Sequence, residues 1–144
     1  DYSRWYATAD TYPQNAVRGP IVMVTNQWAG SDGDIVAAAT QAMGYAKVIG
    51  ERSWGGVVGI DGRFDLVDGT SVTQPRYAGW YGSYGWGVEN HGVDPDIVVT
   101  VSPEDWEADC DVQLDAAIAE CLRQLDDKPA ATAPELPGPA FDRC

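Results

Sequence analysis

The stretch that decides the fold is GPIVMVTNQWAGSDGD, residues 19–34, in which an apolar, β-branched run leads through a short turn into a glycine-rich segment. A continuous apolar run of strand length is typical of a strand buried on both faces, as in a parallel sheet. Asp32 and Asp34 then fall in the first turn of a predicted helix that ends near Gly44. Apolar residues recur at helical spacing through this segment, namely Ile35, Ala38, Ala39, Ala42 and Met43. The stretch therefore predicts a strand, a tight turn and a helix.

Ser31 stands at the tight turn, and the residues alone leave two roles open for it. A serine hydroxyl attacks a carbonyl group when a base takes its proton and when donors stabilise the oxyanion. The first N–H groups of a helix lack intrahelical partners, so the Asp32 N–H could bind the developing charge, and Gly30 and Gly33 give the turn room. Ser-Asp before a helix is also an ordinary N-cap, and propensity alone favours that role.

The rest of the chain predicts more strands and one further helix. Gly and Asp-Gly turn signals separate five short segments that we interpret as strands, AKVIG (46–50), GVVGID (56–61), RFDLVDG (63–69), SVTQP (71–75) and DPDIVVTV (94–101). The turn signals are of the kind that close hairpins, so part of the sheet is expected to be antiparallel. RYAGWYGSYGWG (76–87) is either a surface loop pinned by its rings or a substrate-covering flap.

The final predicted helix carries a single apolar stripe, and we expect it to pack by that stripe. The stripe consists of Leu114, Ile118, Cys121, Leu122 and Leu125. Residues 128–144 are rich in proline and have no period, which predicts a flexible or extended tail.

Composition limits the partners of the chain. Its 144 residues suit one domain, and a formal net charge of −13 repels nucleic acid and anionic membrane surfaces. His91 is the only histidine, and Cys110, Cys121 and Cys144 match no metal-ligand spacing, so we expect no metal or other cofactor. Three free thiols are favoured, although a bridge between Cys110 and Cys144 stays open. With no secretory signal and no apolar run near twenty residues, we expect a cytoplasmic protein.

Four stretches in the same order carry a resemblance to a known family: NAVRGPIVMVTNQWAGSDGD (15–34), GYAKVIGERSWGGVVGI (44–60), LVDGTSVTQP (66–75) and GWGVENHGVDPD (85–96). They resemble the C-terminal half of the catalytic region of the tricorn proteases, serine peptidases related to the tail-specific proteases. The resemblance implies an α/β fold of the crotonase and Clp type, a mixed sheet with packed helices. It assigns residues 1–127 to an incomplete part of a larger catalytic domain, followed by the tail at 128–144.

The resemblance also implies the site residues. The serine of the G-S-D-G-D motif, here Ser31, is the family's nucleophile, and the N–H of the next residue, Asp32, contributes to the oxyanion hole. The glutamate of the G-V-E-N motif, here Glu89, orients the catalytic groups. The family's histidine base and second oxyanion donor come from earlier segments, and nothing in these residues corresponds to them. His91 is expected to be a loop or packing residue.

The tail-specific relatives suggest a rival base, a lysine placed after an aromatic-glycine pair. In this chain the pair is Trp54-Gly55, and the next residue is Gly56 rather than lysine. Lys47 heads an apolar strand, where a solvated lysine is the ordinary expectation. The histidine-dependent mechanism is therefore favoured.

The resulting hypothesis is a peptidase that cleaves oligopeptides through an acyl-enzyme on Ser31, with this chain inactive by itself. The implied partners are peptide substrates, the PDZ-like and N-terminal catalytic segments of a longer chain, and further copies, since the family forms hexamers. The acidic residue that sets preference for basic side chains belongs near the start, but neither Asp1 nor Asp10 can be assigned to it. The alternative hypothesis is an inactive assembly module that keeps the peptidase fold.

Overall fold

The computed structural model describes residues 12–132, which form five strands and three helices. In chain order these are β1 (Val22–Thr25), α1 (Asp32–Met43), β2 (Lys47–Gly50), β3 (Gly59–Asp61), β4 (Gln74–Tyr77), β5 (Ile97–Val98), α2 (Pro103–Glu107) and α3 (Val112–Asp127). No helix in this part of the chain is long and apolar enough to cross a membrane. The architecture confirms the predicted mixed α/β class.

The larger sheet has three parallel strands in the order β1-β2-β5. Val22 pairs with Lys47 at one end of the β1-β2 ladder and Thr25 with Gly50 at the other, so the carboxyl ends of both strands meet at one edge. The chain leaves that edge after Thr25, turns, and enters α1 at Asp32. The strand, turn and helix predicted from residues 19–34 are therefore confirmed.

The core forms between β2 and the elements packed on it. Val48 and Ile49 are both fully buried, and because successive side chains of a strand point to opposite faces, β2 is covered on both faces. Ala37 and Ala38 pack with Val48, and their small side chains let α1 approach the sheet closely. Val57, Val88 and Val93 complete the buried cluster.

The prediction that β1 is buried on both faces is wrong. Val24 is 41% exposed and Ile21 just before the strand is 39% exposed. Within residues 12–132 β1 is an edge strand, and the central position with both faces covered belongs to β2. An apolar run shows that a strand has enough apolar surface to be buried on both faces. The order of strands in the sheet decides which strand is buried in this way.

The predicted antiparallel part is confirmed as a second sheet of β3 and β4. The predicted strand at 63–69 is wrong, because that segment forms only an isolated bridge from Asp65 to Ser71 and a turn. Phe64, Leu66 and Val67 are all more than half exposed. Side chains this exposed gain little from packing, so their β propensity does not produce a strand within residues 12–132.

The prediction that α3 packs by its apolar stripe is also wrong. Leu114, Ile118 and Leu122 are 50%, 50% and 58% exposed, whereas Gln113 and Ala117 are buried. The Gln113 amide donates to the Val99 carbonyl at 2.9 Å, which fixes this face of α3 on the sheet. A hydrogen bond from a polar residue thus sets the rotation of the helix, which the apolar period does not encode.

The first two residues of the predicted loop 76–87 belong to β4, and residues 78–87 form a loop that its tyrosines hold on the core. Tyr81 and Tyr84 pack against the buried cluster, and the Tyr84 hydroxyl donates to the Gln41 side chain at 2.7 Å. Burial, followed by the nearby charges of Asp94 and Asp96, raises the pKa of Tyr84 above its ordinary value. These contacts favour the pinned loop over the flap.

The start of the proline-rich segment is paired with the chain near the first strand. The Ala131 N–H donates to the Arg18 carbonyl at 3.0 Å. The remainder of the predicted tail, with Cys144, lies outside the described residues, and so do Asp1 and Asp10. Cys110 and Cys121 are free thiols.

Candidate active site

The turn between β1 and α1 carries a backbone outlier at Ser31. Its φ of 52° and ψ of −111° lie in a region that L residues rarely adopt. Its side chain is exposed and makes no capping hydrogen bond to α1. The hydroxyl therefore projects from a sharp, strained turn rather than serving as an N-cap.

The backbone beside Ser31 offers a free donor. The Ser31 carbonyl accepts from the Ile35 N–H at 3.0 Å, and the Gly33 N–H donates to the Gly30 carbonyl at 2.9 Å. The Asp32 N–H donates to no group within residues 12–132. An unpaired N–H in the first turn of a helix attracts negative charge, which suits an oxyanion donor.

Trp54 fixes a second segment against this turn. Its N–H donates to the Ala29 carbonyl at 3.0 Å, and its ring lies so close to Gly30 that a Cβ there would overlap it. A Cβ at Gly56 would lie 2.6 Å from the same ring. The ring thus lies over two glycines and holds residues 53–58 beside the Ser31 turn.

Asp34 lies within the candidate site, whereas its sequence position predicts only an acid of the first helical turn, as for Asp32. Asp32 is exposed, but Asp34 is completely buried. One carboxylate oxygen accepts from Ser53 Oγ at 2.5 Å and from the Gly55 N–H at 2.8 Å. The other accepts from the Gly56 N–H at 3.1 Å. The sequence G-S-D-G-D does not indicate which of its two aspartates is buried.

Glu89 lies at the far end of the same segment. Its Oε2 accepts from the Val57 N–H at 2.7 Å and from the Val58 N–H at 2.8 Å. Its Oε1 has no hydrogen-bond partner among residues 12–132, and the residue is half-buried. Glu89 makes no hydrogen bond to Ser31 or Asp32 in that range, so residues 53–58 are what connects the two parts of the site.

None of the basic side chains considered from the sequence is arranged as a base for Ser31. The first residue of β2, Lys47, lies about 10 Å along the strand from the carboxyl edge where the Ser31 turn begins. Its ammonium group is exposed and 4.0 Å from Asp96. Gly56 leaves no room for a lysine unless the Trp54 ring moves.

His91 belongs to a separate surface cluster. Its Nε2 lies 2.9 Å from Asp94, whose other oxygen accepts from Arg52 Nε at 2.6 Å. The hydrogen bonds from His91 and then Arg52 lower the pKa of Asp94 below its ordinary value. The expectation that His91 is a loop residue agrees with this pairing.

A groove of about 740 Å³ opens beside the carboxyl ends of the parallel strands. Trp28, Glu51 and Trp106 are among its lining residues, whereas neither Ser31 nor Glu89 is. The candidate nucleophile therefore lies on an exposed surface next to this groove. Within residues 12–132 no group of three or more His, Cys, Asp or Glu side chains could hold a metal ion.

The strain at Ser31 predicts a gain of stability when its Cβ is removed. Ser31→Gly should raise the free energy of unfolding by about 1 kcal/mol relative to Ser31→Ala, because releasing about 1–3 kcal/mol of strain outweighs the larger entropy loss of glycine. Urea unfolding of the two variants measures the difference. Both variants lack the hydroxyl, so the difference in their unfolding free energies reports the backbone conformation at position 31. A glycine variant less stable than the alanine variant would contradict the strained conformation.

Comparison with known proteins gives consistent matches. The family model of peptidase family S41 matches residues 1–99. Tricorn protease homolog 1 of Streptomyces coelicolor is 59% identical over 127 residues, which are 88% of this chain and 12% of that protein. The tricorn protease of Thermoplasma acidophilum is 48% identical over 118 residues, 82% of this chain and 11% of that protein. The chain thus spans a small fraction of the curated relatives that it matches.

Solved structures agree with the sequence matches. The crystal structure of the tricorn protease superposes with a TM-score of 0.81 and 46% identity over 88% of this chain and 12% of that one. Mature CPAF matches with a TM-score of 0.60 and 21% identity over 81% of this chain and 23% of the other, a likeness of fold alone.

Proposed function

This chain belongs to peptidase family S41, in its tricorn protease branch, and from that membership we propose that it supplies the nucleophile half of a serine peptidase active site. The observation that carries the proposal is the exposed, strained Ser31 at the N-terminus of α1 with no capping hydrogen bond. A cap would place its oxygen on the first-turn N–H groups and would relax its backbone to an extended conformation.

In the proposed reaction the Ser31 hydroxyl attacks a peptide carbonyl carbon of an oligopeptide. A histidine base from a polypeptide segment outside these 144 residues takes the hydroxyl proton as the C–O bond forms. The Asp32 N–H donates to the carbonyl oxygen as it becomes an oxyanion. The C–N bond then breaks, the histidine gives the proton to the leaving amine, and an acyl-enzyme on Ser31 remains.

Hydrolysis completes the cycle. Water attacks the acyl carbon, the same base takes a proton from the water, and the bond to Ser31 Oγ breaks as that oxygen regains a proton. The product is the carboxylate of the released peptide. Glu89 takes part as an orienting residue. Its Oε2 is committed to the backbone of Val57 and Val58, which leaves Oε1 for a group of the catalytic apparatus.

The proposed base lies outside this chain because the candidates within it are poorly arranged. Lys47 is at the amino end of β2, His91 pairs with Asp94, and Gly56 replaces the lysine of the tail-specific relatives. We therefore propose that residues 1–127 are the C-terminal half of a catalytic domain, followed by a proline-rich tail at 128–144. The chain alone is then inactive.

The remaining parts of the proposal concern the whole protein. Its substrates are oligopeptides, its partners are PDZ-like and N-terminal catalytic segments of the longer polypeptide, and copies assemble into a homo-oligomer such as a hexamer. Its location is the cytoplasm. The strongly acidic composition, with a formal net charge of −13, disfavours nucleic acid and anionic membrane surfaces as partners.

A second candidate function is an inactive assembly module that keeps the peptidase fold. The observation that favours it is the half-exposed α3 stripe of Leu114, Ile118 and Leu122, an apolar face of the kind that protein interfaces use.

Labelling by a fluorophosphonate probe decides between the two. Such probes phosphonylate serines that a base activates, so the intact polypeptide should be labelled at Ser31, as read by mass spectrometry of the modified peptide. The 144-residue chain by itself should not be labelled, because it lacks the base. A folded intact polypeptide that stays unlabelled would favour the assembly module, and labelling of the short chain would refute the missing base.

A further inference from the structure

The residue with the most hydrogen bonds near the candidate nucleophile is one that the proposed reaction does not use. Asp34 lies in the first turn of α1, is completely buried, and accepts three hydrogen bonds. A buried carboxylate is costly unless it is fully paired, so the three donors on Asp34 are needed to offset the cost of its burial. Within residues 12–132 none of its partners is a basic side chain; all are neutral donors of one segment.

Those donors belong to residues 53–56, which lie beside the Ser31 turn. The Gly55 and Gly56 N–H groups both point at the carboxylate. Ser53 Oγ donates to the same group and accepts from the Val93 N–H at 2.8 Å. Asp34 thereby connects the turn that carries Ser31 to the segment after Glu89 through one hydrogen-bonded chain.

We propose that Asp34 is a positioning residue, which holds the first turn of α1 and residues 53–56 in one arrangement and so sets the direction of the Ser31 hydroxyl and the Asp32 N–H. The inference rests on the proposed peptidase function. Asp34 does not touch substrate, since it has no exposed surface.

The chemistry of the carboxylate is essential to this role. Three donors converge on two oxygens, and an ionised carboxylate only accepts. An asparagine has nearly the same shape, but its NH₂ group would face either the Gly56 N–H or the pair formed by Ser53 Oγ and the Gly55 N–H. The asparagine NH₂ group would then face an N–H or O–H donor of residues 53–56 without a hydrogen bond. The first turn of α1 and residues 53–56 would move apart locally, although the side-chain volume at position 34 is unchanged.

The test compares Asp34→Asn with two further variants in the intact polypeptide. Ser53→Ala removes one donor to Asp34 together with the acceptor of the Val93 N–H, and it leaves both glycine N–H groups bonded to Asp34, so it serves if the asparagine variant does not fold. Asp65→Asn is the matched control, because Asp65 also accepts from a serine hydroxyl, that of Ser71 at 2.8 Å, but does so on the exposed hairpin.

We expect Asp34→Asn to lower kcat and the rate of fluorophosphonate labelling by about 100-fold, the cost of displacing a reacting group by about 1 Å. KM should stay unchanged, because substrate contacts are not altered. Ser53→Ala should show a smaller loss of the same kind, and Asp65→Asn none. If Asp34 serves only in folding, Asp34→Asn reduces the fraction of protein that is folded and active. The folded Asp34→Asn protein then has the same kcat as the unaltered protein, and this result would overturn the inference.

Amide hydrogen exchange separates this inference from the peptidase proposal. In Asp34→Asn the amides of residues 31–34 and 53–56 should exchange faster, while those of β2 stay protected, and Asp65→Asn should change neither. If the unaltered polypeptide is not labelled at Ser31, the proposed function fails, and the exchange pattern alone then decides the positioning role. Unchanged exchange at 53–56 in Asp34→Asn overturns it in either case.

Discussion

Replacing Ser31 with alanine in the intact polypeptide is expected to lower kcat for oligopeptide hydrolysis by 10⁴- to 10⁶-fold, the order of magnitude found when a serine peptidase loses its nucleophile. The alanine keeps the strained φ and ψ and removes only the oxygen atom. The Asp32 N–H stays in place, so substrate binding and KM should change little. Steady-state kinetics with an oligopeptide measures both parameters.

Ser53→Ala is not a suitable control for this experiment because Ser53 belongs to the hydrogen-bonded chain through Asp34. Ser71→Ala is suitable, since Ser71 is an exposed hairpin serine that bonds to Asp65. It should leave kcat unaltered. If Ser31→Ala hydrolyses peptides as fast as the unaltered protein, Ser31 is not the nucleophile and the proposed mechanism is wrong.

Substitution of Glu89 should lower kcat about as much as Asp34→Asn, and two substitutions separate the hydrogen-bonding role of its carboxylate from the role of its charge. Glu89→Ala removes the acceptor of the Val57 and Val58 N–H groups. An unsatisfied buried N–H costs about 1–3 kcal/mol. Val57 is buried and Val58 is more exposed to water, so we expect a loss of about 2 kcal/mol in the free energy of unfolding.

Glu89→Gln keeps one neutral acceptor for both N–H groups, so its stability should fall by less than about 1 kcal/mol. It lacks the negative charge that the proposed orienting role needs, and kcat should fall by about 100-fold, within the range for acid-base machinery. Urea unfolding and steady-state kinetics on the same preparations measure the two effects. A glutamine variant with full activity would restrict Glu89 to a structural role.

Much of the fold could be predicted from the sequence because the strongest signals are local. The apolar run before Thr25, the acidic first turn and Gly44 after Met43 predict β1 and α1, and all of them act within a few residues of one another. α2 was missed, although its sequence Ser-Pro-Glu-Asp contains a capping box in which Ser102 and Asp105 bond reciprocally. This spacing of serine and acid is enough to predict a helix N-terminus at Ser102.

The errors concern properties that distant parts of the chain decide. The exposure of Val24 depends on which strand lies in the middle of the sheet, and the rotation of α3 depends on the bond from Gln113 to Val99. The buried stripe of α1 likewise runs through Ala37, Ala38 and Thr40, whereas Met43 is 74% exposed. Periodicity identifies a helix well, but it identifies the buried face poorly when small or polar residues lie against the sheet.

For the candidate site, the motif predicted a turn and a helix N-terminus at Ser31, and the structure contains both. The strained backbone of Ser31 and the burial of Asp34 could not be predicted, because they depend on Trp54 and on residues 53–56, which are about twenty positions away in the sequence. The resemblance of the G-V-E-N motif predicts Glu89 as a site residue, and its hydrogen bonds to Val57 and Val58 emerge only from the tertiary structure.

The Trp54 ring over Gly30 and Gly56 has a consequence for how this lineage could change its chemistry. A Cβ at position 56 would lie 2.6 Å from the ring, so a lysine there requires the ring, which is 67% exposed, to move away. Movement of the ring, or its exchange for a smaller side chain, would also loosen the packing on Gly30. Under the proposed mechanism, a change from an imidazole base to an amine base at position 56 would therefore be coupled to the conformation of the indole at position 54.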